Sequence, residues 1–129
     1  MSDTNKFKIL IANQSPIINR KIYSLISPIE SISVIGMAEN IIEAMAIIKV
    51  TKPHAMILDM QQPGNNSIDL LTELQKTNKQ IRVIIFTNRV DPYYKYLCLK
   101  FGADYFLDKS SEFEQLPEIL NSMVREIYE

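Results

Sequence analysis

Pro53-His54-Ala55-Met56-Ile57-Leu58-Asp59 sets an apolar run behind a proline and ends it on an acid. A run this short, bounded in this way, predicts a buried strand over Met56 to Leu58. Four further runs rich in Ile, Val and Phe have the same look: Ile9 to Ala12, Ile32 to Ile35, Ile81 to Phe86 and Tyr105 to Leu107. Five short buried strands are therefore expected, with Met56 to Leu58 in the middle of the chain.

The segments between them carry apolar residues at helical spacing. These are Ile18, Ile22, Leu25 and Ile26; Ala44, Ile47 and Ile48; Leu70, Leu71 and Leu74; and Tyr94, Leu97, Cys98 and Phe101. A fifth set, Leu116, Ile119, Leu120, Met123 and Ile127, closes the chain as a last helix. Ser15-Pro16 and Asp91-Pro92 each place a capping side chain before a proline at a first helical position, which marks two helix starts. Ser111 and Glu114 have capping-box spacing, but Pro117 would then fall inside the helix, so a short turn should come first. Gly102 suits a left-handed C-cap, and Pro53 parts the second helix from the middle strand. Strands alternating with helices require crossovers, and crossovers join parallel strands with right-handed connections. The expected fold is α/β: a doubly wound, five-stranded parallel sheet with five helices. The expected division is an N-terminal tail over residues 1–6 and one domain over 7–129.

The 129 residues, 47% of them hydrophobic, suffice for one core but not two. Lys plus Arg number 14 against 15 Asp plus Glu, so no basic surplus is available to hold a nucleic acid. The single cysteine, Cys98, can form no internal disulfide, and Cys/His clusters of the zinc type are lacking. No apolar run is long enough for a membrane span, and the polar start has no signal-peptide pattern. A cytoplasmic location is expected.

In doubly wound sheets, functional groups collect beyond the C-terminal strand ends, near the switch in strand order. The residues there should be Asn13 and Gln14, Asp59, Thr87 and Lys109. An aspartate beside a hydroxyl and an ammonium could become an acyl phosphate, with Thr87 bonding a phosphoryl oxygen and Lys109 pairing its charge.

Nearly the whole chain, from about Phe7 onward, resembles the receiver domain of two-component response regulators, a flavodoxin-like fold. The stretches that carry the likeness run in order: residues 9–16 (ILIANQSP), Met37-Ala38-Glu39-Asn40, residues 53–59, Gln62-Pro63-Gly64, Val83-Ile84-Ile85-Phe86-Thr87 and residues 102–109 (GADYFLDK). The resemblance implies that Asp59 is the phosphoacceptor, Thr87 the switch hydroxyl, Lys109 the phosphate-pairing lysine and Phe106 the aromatic switch. It implies that Gln61 and Arg89 flank the acyl phosphate, and that the partner is a histidine kinase or phosphotransfer protein. It also implies Mg2+, held in the family by an acidic pair where this chain has Asn13 and Gln14, with Asp59 and the Gln61 backbone as the other ligands. Amides in place of that pair remove negative charge, so Mg2+ binding should be weak or lost. One charge pair ~4 Å apart is worth at most ~4 kcal/mol at an effective dielectric near 20, and half of that exceeds tenfold in affinity. Ser67 replaces a usual loop glycine, and Asn88 stands where a small residue is usual and could crowd the phosphoryl site.

The leading expectation is therefore an atypical, stand-alone receiver, or pseudo-receiver, that is not an enzyme. Its output is expected through a protein partner on the face of the fourth helix, fifth strand and fifth helix, unless the chain belongs to something longer. The alternative is a conventional phosphoreceiver in which Gln14 and backbone carbonyls still suffice for Mg2+. A flavodoxin-like enzyme or cofactor binder is disfavoured, since only 3 glycines occur and none forms a phosphate loop. Tyr93, Tyr94, Tyr96, Tyr105 and Phe106 should divide between partner face and core. His54 reads as a solvated loop imidazole and Cys98 as a buried thiol.

Overall fold

The computed structural model describes residues 6–128. In chain order the elements are β1 (Phe7–Asn13), α1 (Pro16–Ile26), β2 (Ile32–Ala38), α2 (Ile41–Thr51), β3 (Ala55–Asp59) and a minimal ribbon of β4 (Gln61–Gln62) and β5 (Asn65–Asn66). They continue with α3 (Ser67–Thr77), β6 (Arg82–Thr87), α4 (Pro92–Lys100), β7 (Tyr105–Asp108), a 3-10 turn (Phe113–Gln115) and α5 (Leu116–Tyr128). The main sheet has the order β2-β1-β3-β6-β7 with every pairing parallel. The doubly wound five-stranded sheet with five helices is thus the fold. The tail expected over residues 1–6 lies, apart from Lys6, outside the described residues.

Alternation along the strands splits the core into two layers. Phe7, Ile9 and Ile11 of β1 pack with Ile22 and Ile26 of α1 and with Leu116, Leu120 and Met123 of α5. Leu10 and Ala12 face the other way, toward Ala44 and Ile48 of α2, Leu70, Leu71 and Leu74 of α3, and Tyr94 and Cys98 of α4. β3 is buried along its whole length because both layers cover it. Every strand runs past the expected stretch at its C-terminal end, to Asn13, Ala38, Asp59, Thr87 and Asp108, because pairing continues beyond the apolar run, whereas β6 opens at Arg82 and leaves Ile81 outside it. Ile127, expected on the buried stripe of α5, is 47% exposed in the last turn of that helix.

The caps follow local chemistry. Ser15 accepts from the Ile18 N–H and Asp91 from the Tyr94 N–H, as their placement before proline predicts. Two caps escaped the sequence reading: Asn40 accepts from the Glu43 N–H and Asn66 from the Asp69 N–H. The 3-10 turn precedes α5, so Pro117 occupies a first-turn position where its missing N–H costs nothing. After α4, Gly102 takes φ 115°, the Ala103 N–H donates to the Cys98 carbonyl and the Gly102 N–H to that of Leu99, forming a Schellman end. At Gly36, where β2 shifts register, a Cβ would lie 3.1 Å from Ile47, so the glycine lets α2 approach the sheet.

His54 departs from expectation. It is half-buried: its ring stacks on Phe7 at 5.1 Å, and its Nδ1 accepts from the Lys8 N–H at 2.8 Å. The missing backbone partner at the start of β1 explains the placement. Burial, and then the nearby Lys8 charge, lower its pKa from the ordinary 6.5.

Candidate functional site

The strand order reverses between β1 and β3, and the crevice there opens at their C-terminal ends. Asn13 and Asp59 are register partners at those ends, so the topology sets them side by side. Thr87 ends β6 opposite Asp108 of β7. The Lys109 N–H donates to the Thr87 carbonyl at 2.9 Å, which extends that pairing by one residue and aims Lys109 inward.

Asp59 is 9% exposed. Its Oδ2 accepts from Lys109 Nζ at 2.7 Å and its Oδ1 from Gln61 Nε2 at 2.8 Å. Both side chains of the ion pair are nearly buried, so this charge-assisted bond compensates the desolvation of both ions. Gln61 Nε2 also donates to the Tyr94 hydroxyl at 3.0 Å, with Thr87 Oγ1 farther off at 3.4 Å. An amide nitrogen has two protons, so the two shorter contacts take them. Thr87 Oγ1 accepts from the Arg89 N–H at 3.0 Å.

The amides at the end of β1 behave differently. Asn13 is buried; its Oδ1 accepts from the Ser15 N–H at 2.9 Å, and its Nδ2 has no hydrogen-bond partner. Gln14 Oε1 accepts from the Gln61 N–H at 2.9 Å and so pins the segment that carries the Gln61 side chain over Asp59. Among the described residues, no group of three or more His, Cys, Asp or Glu side chains is placed to hold a metal ion.

Asp59, Thr87, Lys109, Asn13, Gln14 and Gln61 therefore meet in one crevice. Arg89 joins it through its backbone, while its guanidinium lies 4.1 Å from the centre of the Tyr94 ring. Asn88 is exposed, and its Oδ1 accepts from Ser110 Oγ at 3.0 Å, which ties it to the loop after β7. Phe106 is half-buried and meets the Tyr94 ring edge-on, centroids 6.0 Å apart. Ser67, expected in a loop, instead opens α3 and is fully buried. Its hydroxyl accepts from the Met60 N–H and donates to the Met60 carbonyl, which satisfies backbone groups just past Asp59. Sequence reading placed Tyr94 on the core stripe, where it is, but missed its hydroxyl as the anchor of Gln61, a contact 33 residues apart that no local pattern signals. Burial raises the Tyr94 pKa, so it stays a neutral phenol, and burial likewise pushes Cys98 to about 11.

Comparison with known proteins bears on this arrangement. The chain is 28% identical over 121 residues to the nitrate/nitrite response regulator protein NarL of Escherichia coli, covering 94% of this chain and 56% of that one. It is 27% identical over 124 residues to a protein-glutamate methylesterase/protein-glutamine glutaminase of Clostridium acetobutylicum, covering 95% of this chain and 36% of the relative. The chain thus spans from about a third to just over half of the length of these relatives. Among solved structures, the isolated REC domain of RcsB from Salmonella enterica serovar Typhimurium superposes with TM-score 0.86 at 21% identity, over 94% of this chain and 90% of that one. The response regulator domain of Thermotoga maritima CheB gives TM-score 0.80 at 23% identity, over 94% and 95%. Residues 9–121 match the response regulator receiver domain, and the protein belongs to that family of two-component signalling domains.

Proposed function

We propose that this receiver passes on its signal by binding a protein, with Asp59 in the phosphoacceptor position and its Mg2+-dependent phosphorylation weakened or lost. Thr87 and Lys109 support phosphate, Phe106 is the switch aromatic, and Gln61, Asn88 and Arg89 border the site. The domain runs from Phe7 through α5.

One observation carries the weakened-metal reading: the oxygens on the metal side of the crevice already hold donors. Asn13 Oδ1 and Gln14 Oε1 accept from backbone N–H groups, which leaves Asp59, with a lone pair free on each oxygen, as the one carboxylate there. The other end of the Asn13 amide is a buried N–H with no partner, a group that repels a cation. Mg2+ demands nearly octahedral oxygen ligation, usually with carboxylates, and only Asp59 supplies one here. The residues present do not fit that ion well; Asp59 and the Gln61 backbone carbonyl are what remain to ligate it.

A conventional receiver phosphorylated by a histidine kinase or phosphotransfer protein is the second reading. The intact Asp59, Thr87 and Lys109 grouping favours it. Intact-mass measurement after incubation with acetyl phosphate, with and without Mg2+ and against Asp59→Asn, separates the two. The first reading expects little adduct at any metal level, and a full adduct that requires Mg2+ and Asp59 would establish the second.

Output is assigned to the face of α4, β7 and α5. Tyr93 and Tyr96 on α4 are 67% and 57% exposed, while Tyr94 between them is buried. Large exposed aromatics of this kind anchor protein interfaces. Tyr96→Ala should abolish partner binding and leave folding intact.

A further inference from the structure

We propose that Gln61 and Tyr94 form a relay that ties the state of the Asp59 carboxylate to the position of α4. Gln61 is exposed on β4, yet its amide nitrogen reaches two buried groups at once, Asp59 Oδ1 at 2.8 Å and the Tyr94 hydroxyl at 3.0 Å. A single hydrogen bond gains little more than fixing the rotamers of a glutamine loses, so the side chain keeps its place only while both partners hold it. The two contacts are therefore made or lost together. Room for the released side chain lies alongside, in a cleft of about 400 Å³ bordered by Gln61 itself, Gln62, Asn66 and Arg89.

Tyr94 carries the link into the helix. It sits in the first turn of α4 and is 3% exposed, with the Arg89 guanidinium 4.1 Å from its ring centre and Phe106 edge-on at 6.0 Å. Losing the Gln61 amide takes a donor from a buried phenol oxygen, which then gains by moving toward water, and α4 must move with it. Tyr93 and Tyr96, exposed on that helix, move too. The route runs beside Thr87 rather than through it, since Gln61 Nε2 lies 3.4 Å from Thr87 Oγ1 and that oxygen accepts from the Arg89 N–H at 3.0 Å. Whatever occupies Asp59 Oδ1 or removes its charge competes with the Gln61 amide, and α4 registers the change. The relay rests on the proposed output face of α4, β7 and α5 for its use, though not for its test.

The test is hydrogen–deuterium exchange of the whole chain, with neither metal, phosphodonor nor partner added. Asp59→Asn offers a single carbonyl oxygen, which the Lys109 ammonium takes, and turns an N–H toward the N–H of Gln61. Exchange over residues 93–101 should rise about fivefold, the factor for one lost hydrogen bond, while α1 on the other face of the sheet stays unchanged. Tyr94→Phe removes only the hydroxyl and Gln61→Ala only an exposed side chain, and each should raise exchange over 93–101 by a similar factor. In either background Asp59→Asn should then add nothing, a coupling that separate losses of packing would not produce. Unchanged exchange in Asp59→Asn, an equal rise over α1, or a full fivefold rise from Asp59→Asn in the Tyr94→Phe background would overturn the proposal. Partner binding retained in Tyr96→Ala would sink the output reading while the exchange coupling stands, so the two fail separately.

Discussion

At the ends of β3, β6 and β7 the crevice sets charge against charge, with Lys109 on Asp59 at 2.7 Å and Thr87 alongside. At the end of β1 it sets amide against backbone, with Asn13 on Ser15 and Gln14 on Gln61. Both halves are ordered and both are tied by short hydrogen bonds. The first keeps groups that can answer a dianion. The second spends its oxygens on holding loops in place. The contrast sets paired charges on one side of the crevice against amides engaged with backbone on the other.

Removing the ammonium tests the charged half most severely. Lys109→Ala leaves a nearly buried carboxylate without its partner and should cost about 3 kcal/mol, read as a lower urea midpoint at an unchanged slope. A loss under 0.5 kcal/mol would mean that the pair contributes nothing. Converting the amide half into a second charged half comes next. Asn13→Asp with Gln14→Glu should raise Mg2+ affinity more than tenfold by calorimetry. The same change should lower stability without metal by about 1 kcal/mol, because acids then crowd Asp59. Unchanged affinity would erase the distinction between the halves.

Gln61 joins the halves, its backbone held by Gln14 and its side chain by Asp59 and Tyr94. Gln61→Ala should cost about 1 kcal/mol in urea denaturation, a hydrogen bond to a charged group reduced by the exposure of Gln61. An effect as large as that of Lys109→Ala would make the amide the main partner of Asp59.

The smallest effect lies at the other end of β3, where His54 serves as a control outside both halves. Its pKa is lowered in the fold, so the unfolded chain binds more protons as the pH drops through the ordinary 6.5. The contribution of His54 to stability should be complete above that value and shrink below it, down through the lowered folded pKa. His54→Phe should flatten that part of the stability profile without altering the behaviour of Asp59.

Much of this was legible along the chain. The apolar runs, the prolines after Ser15 and Asp91 and the glycine after Phe101 specify strands, caps and crossovers, because each acts on its near neighbours through backbone sterics and solvent exclusion. Asp59, Thr87 and Lys109 could be set at one sheet edge for a related reason: parallel strands with helical crossovers bring all their C-terminal ends to one side. His54 was misread because its partner, the Lys8 N–H, lies 46 residues away. Ser67 was misread because nothing local indicates that its hydroxyl turns back to Met60.

By itself, then, the sequence determined the alternation of elements, the family and the set of residues at the strand ends. Tertiary structure alone decided what those residues touch: Gln14 engaged by a backbone N–H 47 residues away, Gln61 spread between Asp59 and Tyr94, and one face of α2 left uncovered. The reason is physical. Periodicity and capping are short-range and survive in a linear reading, whereas the pairing of buried polar groups depends on which chain segments the packed sheet brings within about 3 Å of one another.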